Sequence, residues 1–223
     1  MKCLILTDSV GNPRSFPVSE ITQLEETYPY LIRDKFQDSI FWQLSYGNVS
    51  SETLISQTLS YLGQWEPDII IVNMGICDCR PEAFSEFQKT LINKFSWRFA
   101  GKLKKYIYHS ELIKRRQVYR TSPKSFRKTV KKLQLFYSGA NIFWLGICAD
   151  SKYENARPGV NKRIEEFNQI MIDVLGENLL HVGEKIAEVD GYNSDSLHWN
   201  KNGHKVVAEI LIDKIASSLE ASV

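Results

Sequence analysis

The chain is 223 residues long, 43% hydrophobic and 24% charged, with a formal net charge of +2. That length allows one sizeable α/β domain or two small ones, and no apolar run approaches the roughly 20 residues of a membrane-spanning helix. Met1-Lys2 leads directly into an apolar run rather than a cleavable leader, so the expected location is cytoplasmic. The four cysteines fit that compartment: Cys3 and Cys148 sit in apolar runs, and Cys77 and Cys79 lack a second pair at metal spacing. A disulfide is disfavoured there, and no metal or cofactor is expected.

Cys3-Leu4-Ile5-Leu6 reads as a buried strand that stops at Thr7-Asp8-Ser9, followed by the turn-forming Gly11-Asn12-Pro13. Residues 15–26 carry no clear pattern. Thr27–Phe36 reads as a short helix, with Pro29 tolerated in its first turn. Ser39–Ser45 is a second strand ending at Tyr46-Gly47-Asn48. Ser50 or Ser51 then caps a helix with Leu54, Ile55, Leu59 and Leu62 at helical spacing. Ile69–Met74 is the clearest strand, apolar almost throughout as a strand covered on both faces should be. Gly75–Pro81 closes it, and Glu82–Phe95 reads as a helix.

From Arg98 to Lys132 there are 13 Lys or Arg and one acid, Glu111, a charge of +12; the rest holds 15 basic and 25 acidic residues, −10. Trp97, Phe99, Tyr106, Tyr108, Tyr119 and Phe126 interleave with the charge. The stretch reads as a basic helical insertion or lid at about 98–132, broken near Thr121-Ser122-Pro123. A solvated surface is one reading. The others are contact with an anionic glycan, a phosphorylated carrier or a membrane surface; no nucleic acid is expected, since no recognised binding motif accompanies the charge. Ala140–Ile147 is the fourth strand, Arg157-Pro158-Gly159 leads into a helix to about Gly176, and Asn178–Val182 is a weak fifth strand. A loop over 183–200 precedes a final helix, Lys201–Leu219. Five strands alternating with helices predict a parallel sheet covered on both faces, a flavodoxin-like three-layer sandwich. With strand order 2-1-3-4-5, the turns after strands one and three lie side by side at the switch point, where ligands bind.

The loop before the last helix holds Asp195-Ser196-Leu197-His198. A carboxylate three residues before a histidine is able to fold back onto one ring nitrogen and leave the other free to take a proton. With a serine at a strand end, this completes the parts for acyl transfer. The chain here resembles the SGNH hydrolases, the GDSL esterase family, in four blocks spread along almost its whole length. They are Thr7-Asp8-Ser9, with Thr where the family usually has Gly; Gly47; Gly75-Ile76-Cys77-Asp78, against the family's G-x-N-D; and Asp195–His198, with Gly203-His204 beyond it. Within the family it is most similar to bacterial members linked to surface-polysaccharide synthesis. The resemblance implies Ser9 as nucleophile, His198 as base and Asp195 as the residue orienting it. It also implies an oxyanion hole from the Ser9 and Gly47 N–H groups and a side-chain amide, where this chain has Cys77.

A thiol is a weak donor. Asn73, Arg14 or Arg80 is a candidate replacement, and Asp8, Arg14, Asn73, Asp78 and Arg80 are candidate substrate contacts. Asp78 also reads as a cap for the helix after Pro81, and His109, His181 and His204 read as structural. The functional expectation is a serine esterase removing an O-acyl group, acetyl first, from a carbohydrate or glycan carrier. An O-acyltransferase using the same acyl-enzyme, or a binding module with a degenerate site, stays open.

Overall fold

The computed structural model describes residues 1–95 and 106–220. Trp97, Phe99 and the basic residues from Arg98 to Lys105 lie outside them. Five parallel strands, β1 (Lys2–Thr7), β2 (Ile40–Ser45), β3 (Ile69–Asn73), β4 (Asn141–Leu145) and β5 (Leu179–Leu180), form one sheet in the order β2-β1-β3-β4-β5. In register, Cys3 lies between Phe41 and Ile69, and Ile69 faces Asn141. β1 and β3 sit inside the sheet and are buried along nearly their full length, which explains their uninterrupted apolar runs. β2, at one edge, leaves Ile40 and Trp42 exposed.

Helices cover both faces. α1 (Tyr28–Lys35) packs on the long C-terminal helix, and α2 (Ser51–Leu62) packs on the helix that leads into β4. α3 (Ile76–Cys79) is a single turn after β3, and α4 (Glu86–Phe95) starts four residues later than its apolar pattern suggests. Glu82 is drawn instead into a two-way backbone pairing with Val118, at 2.9 and 3.0 Å, which holds the chain extended after Pro81.

The basic stretch divides. α5 (Ser110–Arg116) is a short helix, and α6 (Pro123–Phe136) is the crossover helix between β3 and β4, packed between α2 and α8 (Val160–Leu175). The excursion is therefore shorter than the charge implies. Thr121-Ser122-Pro123, read as a break, is the start of α6: the Ser122 hydroxyl accepts the Ser125 N–H, and Pro123 occupies the first turn. Phe126, Thr129, Val130 and Leu133 face the core, while Lys124, Lys128, Lys131 and Lys132 face solvent. Phe126 is fully buried, its ring centred 4.5 Å from that of Phe167 and 6.1 Å from that of Trp144. Phe126→Ala is expected to cost about 3–5 kcal/mol of stability; a change under about 1 kcal/mol in urea unfolding would return α6 to the surface.

Between β4 and β5 lie α7 (Tyr153–Ala156) and α8. The region read as a loop over 183–200 opens with α9 (Gly183–Glu188) before α10 (Lys201–Glu220), and β5 is shorter than expected. Among the described residues no helix is long and apolar enough to cross a membrane.

Candidate active site

The carboxyl edge of the sheet gathers the ends of β1, β2 and β3. β1 stops because Asp8 caps a 3-10 turn, Ser9–Gly11, its Oδ1 accepting the Val10 N–H at 2.9 Å. The Asp8 N–H donates to the Asn73 carbonyl at 3.1 Å, tying the end of β1 to the end of β3. Gly11 is required by space, since a Cβ there would lie 2.2 Å from Thr7 Oγ1. Gly47 lies beside Ser9, where a Cβ would sit 3.9 Å from that of Ser9, an ordinary contact. Among the described residues neither the Ser9 nor the Gly47 N–H has a hydrogen-bond acceptor.

The loop carrying Asp195 and His198 is seated on α10 by two glycines packed back to back; a Cβ on Gly203 would lie 2.4 Å from the Gly191 carbonyl. The Asn193 N–H donates to the His198 carbonyl at 2.8 Å, and the Asp150 N–H to the Ser196 carbonyl at 2.9 Å. Asp195 Oδ1 accepts the N–H groups of Leu197 and His198 at 3.1 and 3.0 Å, which fold the carboxylate back over the loop. Its Oδ2 meets His198 Nδ1 at 2.6 Å, and His198 Nε2 lies 3.0 Å from Ser9 Oγ. Asp195 as acceptor places the ring proton on Nδ1 and leaves the Nε2 lone pair facing the hydroxyl.

Burial alone would raise Asp195; hydrogen bonds from His198 and Arg14 outweigh it and hold the carboxyl well below its usual range. Burial pushes Asp8 up to about 6, against the Val10 N–H and the nearby His198, which both lower it. His204 on α10 is forced down to about 4 by burial, with His198 adding to the effect, so it is a neutral ring; its Nδ1 accepts the Tyr28 N–H at 3.3 Å.

The remaining candidates separate. Arg14 is engaged with Asp195, its Nη1 donating to Asp195 Oδ2 at 2.6 Å. Asp78 is neither a substrate contact nor a cap after Pro81. It is buried, with Oδ2 on the Ser51 N–H at 2.9 Å and Oδ1 on the Thr121 hydroxyl at 2.6 Å, so it pins the first turn of α2 to the start of α6. Asn73 is nearly buried beside the Tyr28 hydroxyl. Arg80 Nη2 donates to Asn48 Oδ1 at 2.6 Å and its Nε to Glu82 Oε1 at 3.3 Å. Cys77 is 2% exposed, and burial pushes its thiol up to about 12, which leaves no thiolate for nucleophilic attack.

Two residues without a sequence signal stand at this corner. Asn48 takes a left-handed backbone at φ 58°, and its carbonyl and side chain accept from Arg120 at 2.7 and 3.1 Å. The turn beside Ser9 is thus gripped by two arginines from the β3–β4 crossover. Among the described residues no group of three His, Cys, Asp or Glu is placed to hold a metal ion.

The buried Asp8 carboxyl has a consequence for stability. A folded-state value above the ordinary carboxylate range means that the folded chain binds the proton more tightly, so stability falls as pH rises from about 4 to 6. Asp8→Asn keeps an acceptor for Val10 and removes the charge. It is expected to stabilise the chain by about 2–3 kcal/mol at neutral pH and to leave acid stability unchanged. Denaturant midpoints at both pH values check this; an equal shift at both would leave burial of the charge without a cost.

No protein-family model matches the sequence, and no curated protein does. Solved structures are similar across nearly the whole chain. A lipase/acylhydrolase from Enterococcus faecalis superposes with a TM-score of 0.65 at 12% identity, covering 96% of this chain and 95% of its own. The esterase EstA from Pseudoalteromonas gives 0.57 at 19%, covering 98% of each chain. The acetylxylan esterase Axe2 from Geobacillus stearothermophilus gives 0.58 at 13%, covering 96% and 93%. The likeness is one of fold. Proteins of this architecture also include a GDSL-like lipase from Parabacteroides merdae and a member of the lipolytic G-D-S-L family from Veillonella parvula, in line with the resemblance drawn from the four blocks.

Proposed function

We infer that the chain is a serine ester hydrolase of SGNH type, with Ser9 as nucleophile, His198 as general base and acid, and Asp195 as its orienting carboxylate. The observation that carries this is the unbroken line from Ser9 Oγ through His198 to Asp195, at 3.0 and 2.6 Å. A serine hydroxyl is a weak nucleophile until a positioned base accepts its proton. As Oγ attacks the ester carbonyl, Nε2 takes that proton and the carbonyl π pair moves onto oxygen. The Ser9 and Gly47 N–H groups, which have no acceptor among the described residues, are suited to receive this oxyanion. Collapse expels the alcohol, which leaves with the proton from Nε2, and the acyl group stays on Ser9. Water then repeats the sequence and releases the acid.

The proposed substrate is an O-acylated carbohydrate, acetyl first, in surface-polysaccharide synthesis. The family resemblance supports this, as does the likeness in fold to an acetylxylan esterase. The lysines along α6, which face solvent and have no ion-pair partner among the described residues, support a peripheral contact with an anionic carrier or membrane surface. A second reading, a binding module with a degenerate site, is favoured by Cys77, which brings no amide to the oxyanion corner. A fluorophosphonate probe separates the two. Labelling of Ser9 that is abolished in Ser9→Ala supports the hydrolase, while a wild-type protein that resists the probe supports the binding module.

A further inference from the structure

Arg14 lies five residues past Ser9 and 181 residues before Asp195, yet it shares Asp195 Oδ2 with His198, each at 2.6 Å. With the Leu197 and His198 N–H groups on Oδ1, the carboxylate receives four donors, one of them a permanent cation. Arg14 is itself fixed: Nε donates to the Phe16 carbonyl at 2.9 Å, and its backbone pairs in both directions with Thr22 at 2.9 Å. Its Nη2 lies 3.9 Å from Glu20 Oε2, and Glu20 Oε1 accepts the Ser194 N–H at 3.1 Å. The excursion that hangs from the nucleophile turn is thus tied at two points to the loop bearing Asp195 and His198.

We propose that Arg14 is a positioning residue for the reaction: it holds Asp195 Oδ2 against the His198 ring and moderates the negative charge that oxygen presents to it. This rests on Ser9, His198 and Asp195 acting as inferred above. A bare carboxylate stabilises the imidazolium, so the ring keeps its proton to higher pH. A guanidinium on the shared oxygen offsets part of that attraction. Among the described residues, the other charged or titratable groups facing His198 are Asp8 from the end of β1 and His204 from α10. Asp8, at about 6, titrates where the acid limb of a histidine is read, so the test must also be run without it.

The test measures kcat/KM for 4-nitrophenyl acetate, and the rate of fluorophosphonate labelling, from about pH 5 to 9. The variants are Arg14→Met, Arg14→Gln and Arg14→Lys, each alone and with Asp8→Asn. The two side chains of the pair are 22% and 33% exposed, which screens the charge. Arg14→Met is therefore expected to move the acid limb up by about 0.5–1 pH unit and to lower kcat about tenfold. Arg14→Gln, a donor without charge, should move the limb as far. Arg14→Lys should leave it in place, and the pattern should persist in Asp8→Asn.

A limb that stays fixed in both Met and Gln variants overturns the proposal, as does one that Lys moves equally. Should Arg14→Met fail to fold, the comparison of Gln with Lys decides the same question. Wild-type protein that is inert to the probe, or Ser9→Ala that retains labelling, defeats the hydrolase reading itself; labelled Ser9 with a fixed limb defeats only the role of Arg14.

Discussion

Ser9→Ala should lower kcat for 4-nitrophenyl acetate by about 10⁴-fold or more, His198→Ala by a similar factor, and the double variant by no more than either alone. The reason for non-additivity is geometric. Ser9 Oγ and His198 Nε2 form one hydrogen bond at 3.0 Å, and in the proposed reaction neither attacks nor accepts a proton without the other. Asp195→Asn belongs to the same series. Its one acceptor oxygen cannot take the four donors that the two carboxylate oxygens now share, and the amide nitrogen in the other position would meet N–H groups, so the ring is expected to lose its tautomer, with a loss near 10⁴-fold. None of these side chains is a core packing group, so thermal midpoints should move by only a few degrees. Ser9→Ala retaining the parent rate with its midpoint intact would remove Ser9 from the chemistry.

The sheet was readable because a strand covered on both faces has no reason to alternate. Ile69–Met74 shows that run, and the alternation of strands with helices then implies parallel order. The fold-back of Asp195 onto His198 was readable because it is local: three residues separate carboxylate and ring, and the turn between them needs only N–H donors from its own loop. What escaped was long-range. Nothing near Asp78 indicates that its partners are Ser51 and Thr121, or near Arg14 that its partner is Asp195. In α6 the lysines dominate composition and hide the spacing of Phe126, Val130 and Leu133, which is that of a buried helical face. A charged exterior and an apolar interior coexist on one helix, and composition averages over both.

Cys77→Asn should raise kcat by about 10²-fold while lowering stability by about 1–3 kcal/mol. The gain follows from what the other candidates are doing. Arg14 is spent on Asp195 and Arg80 on Asn48 and Glu82; of the three candidates Asn73 alone keeps a spare donor, its buried Nδ2 having no partner among the described residues, so an amide at position 77 would add a second one. A thiol pushed up to about 12 keeps its proton but donates it weakly, and an amide of nearly the same volume donates well. The loss follows from burial: at 2% exposure the new amide has no water, and in the free protein it has no developing anion to receive it. Activity and stability therefore move in opposite directions, a pairing that simple repacking of the corner does not produce. Unchanged turnover alongside intact labelling of Ser9 would mean that the two arginines gripping Asn48 already supply the field that the amide was meant to restore.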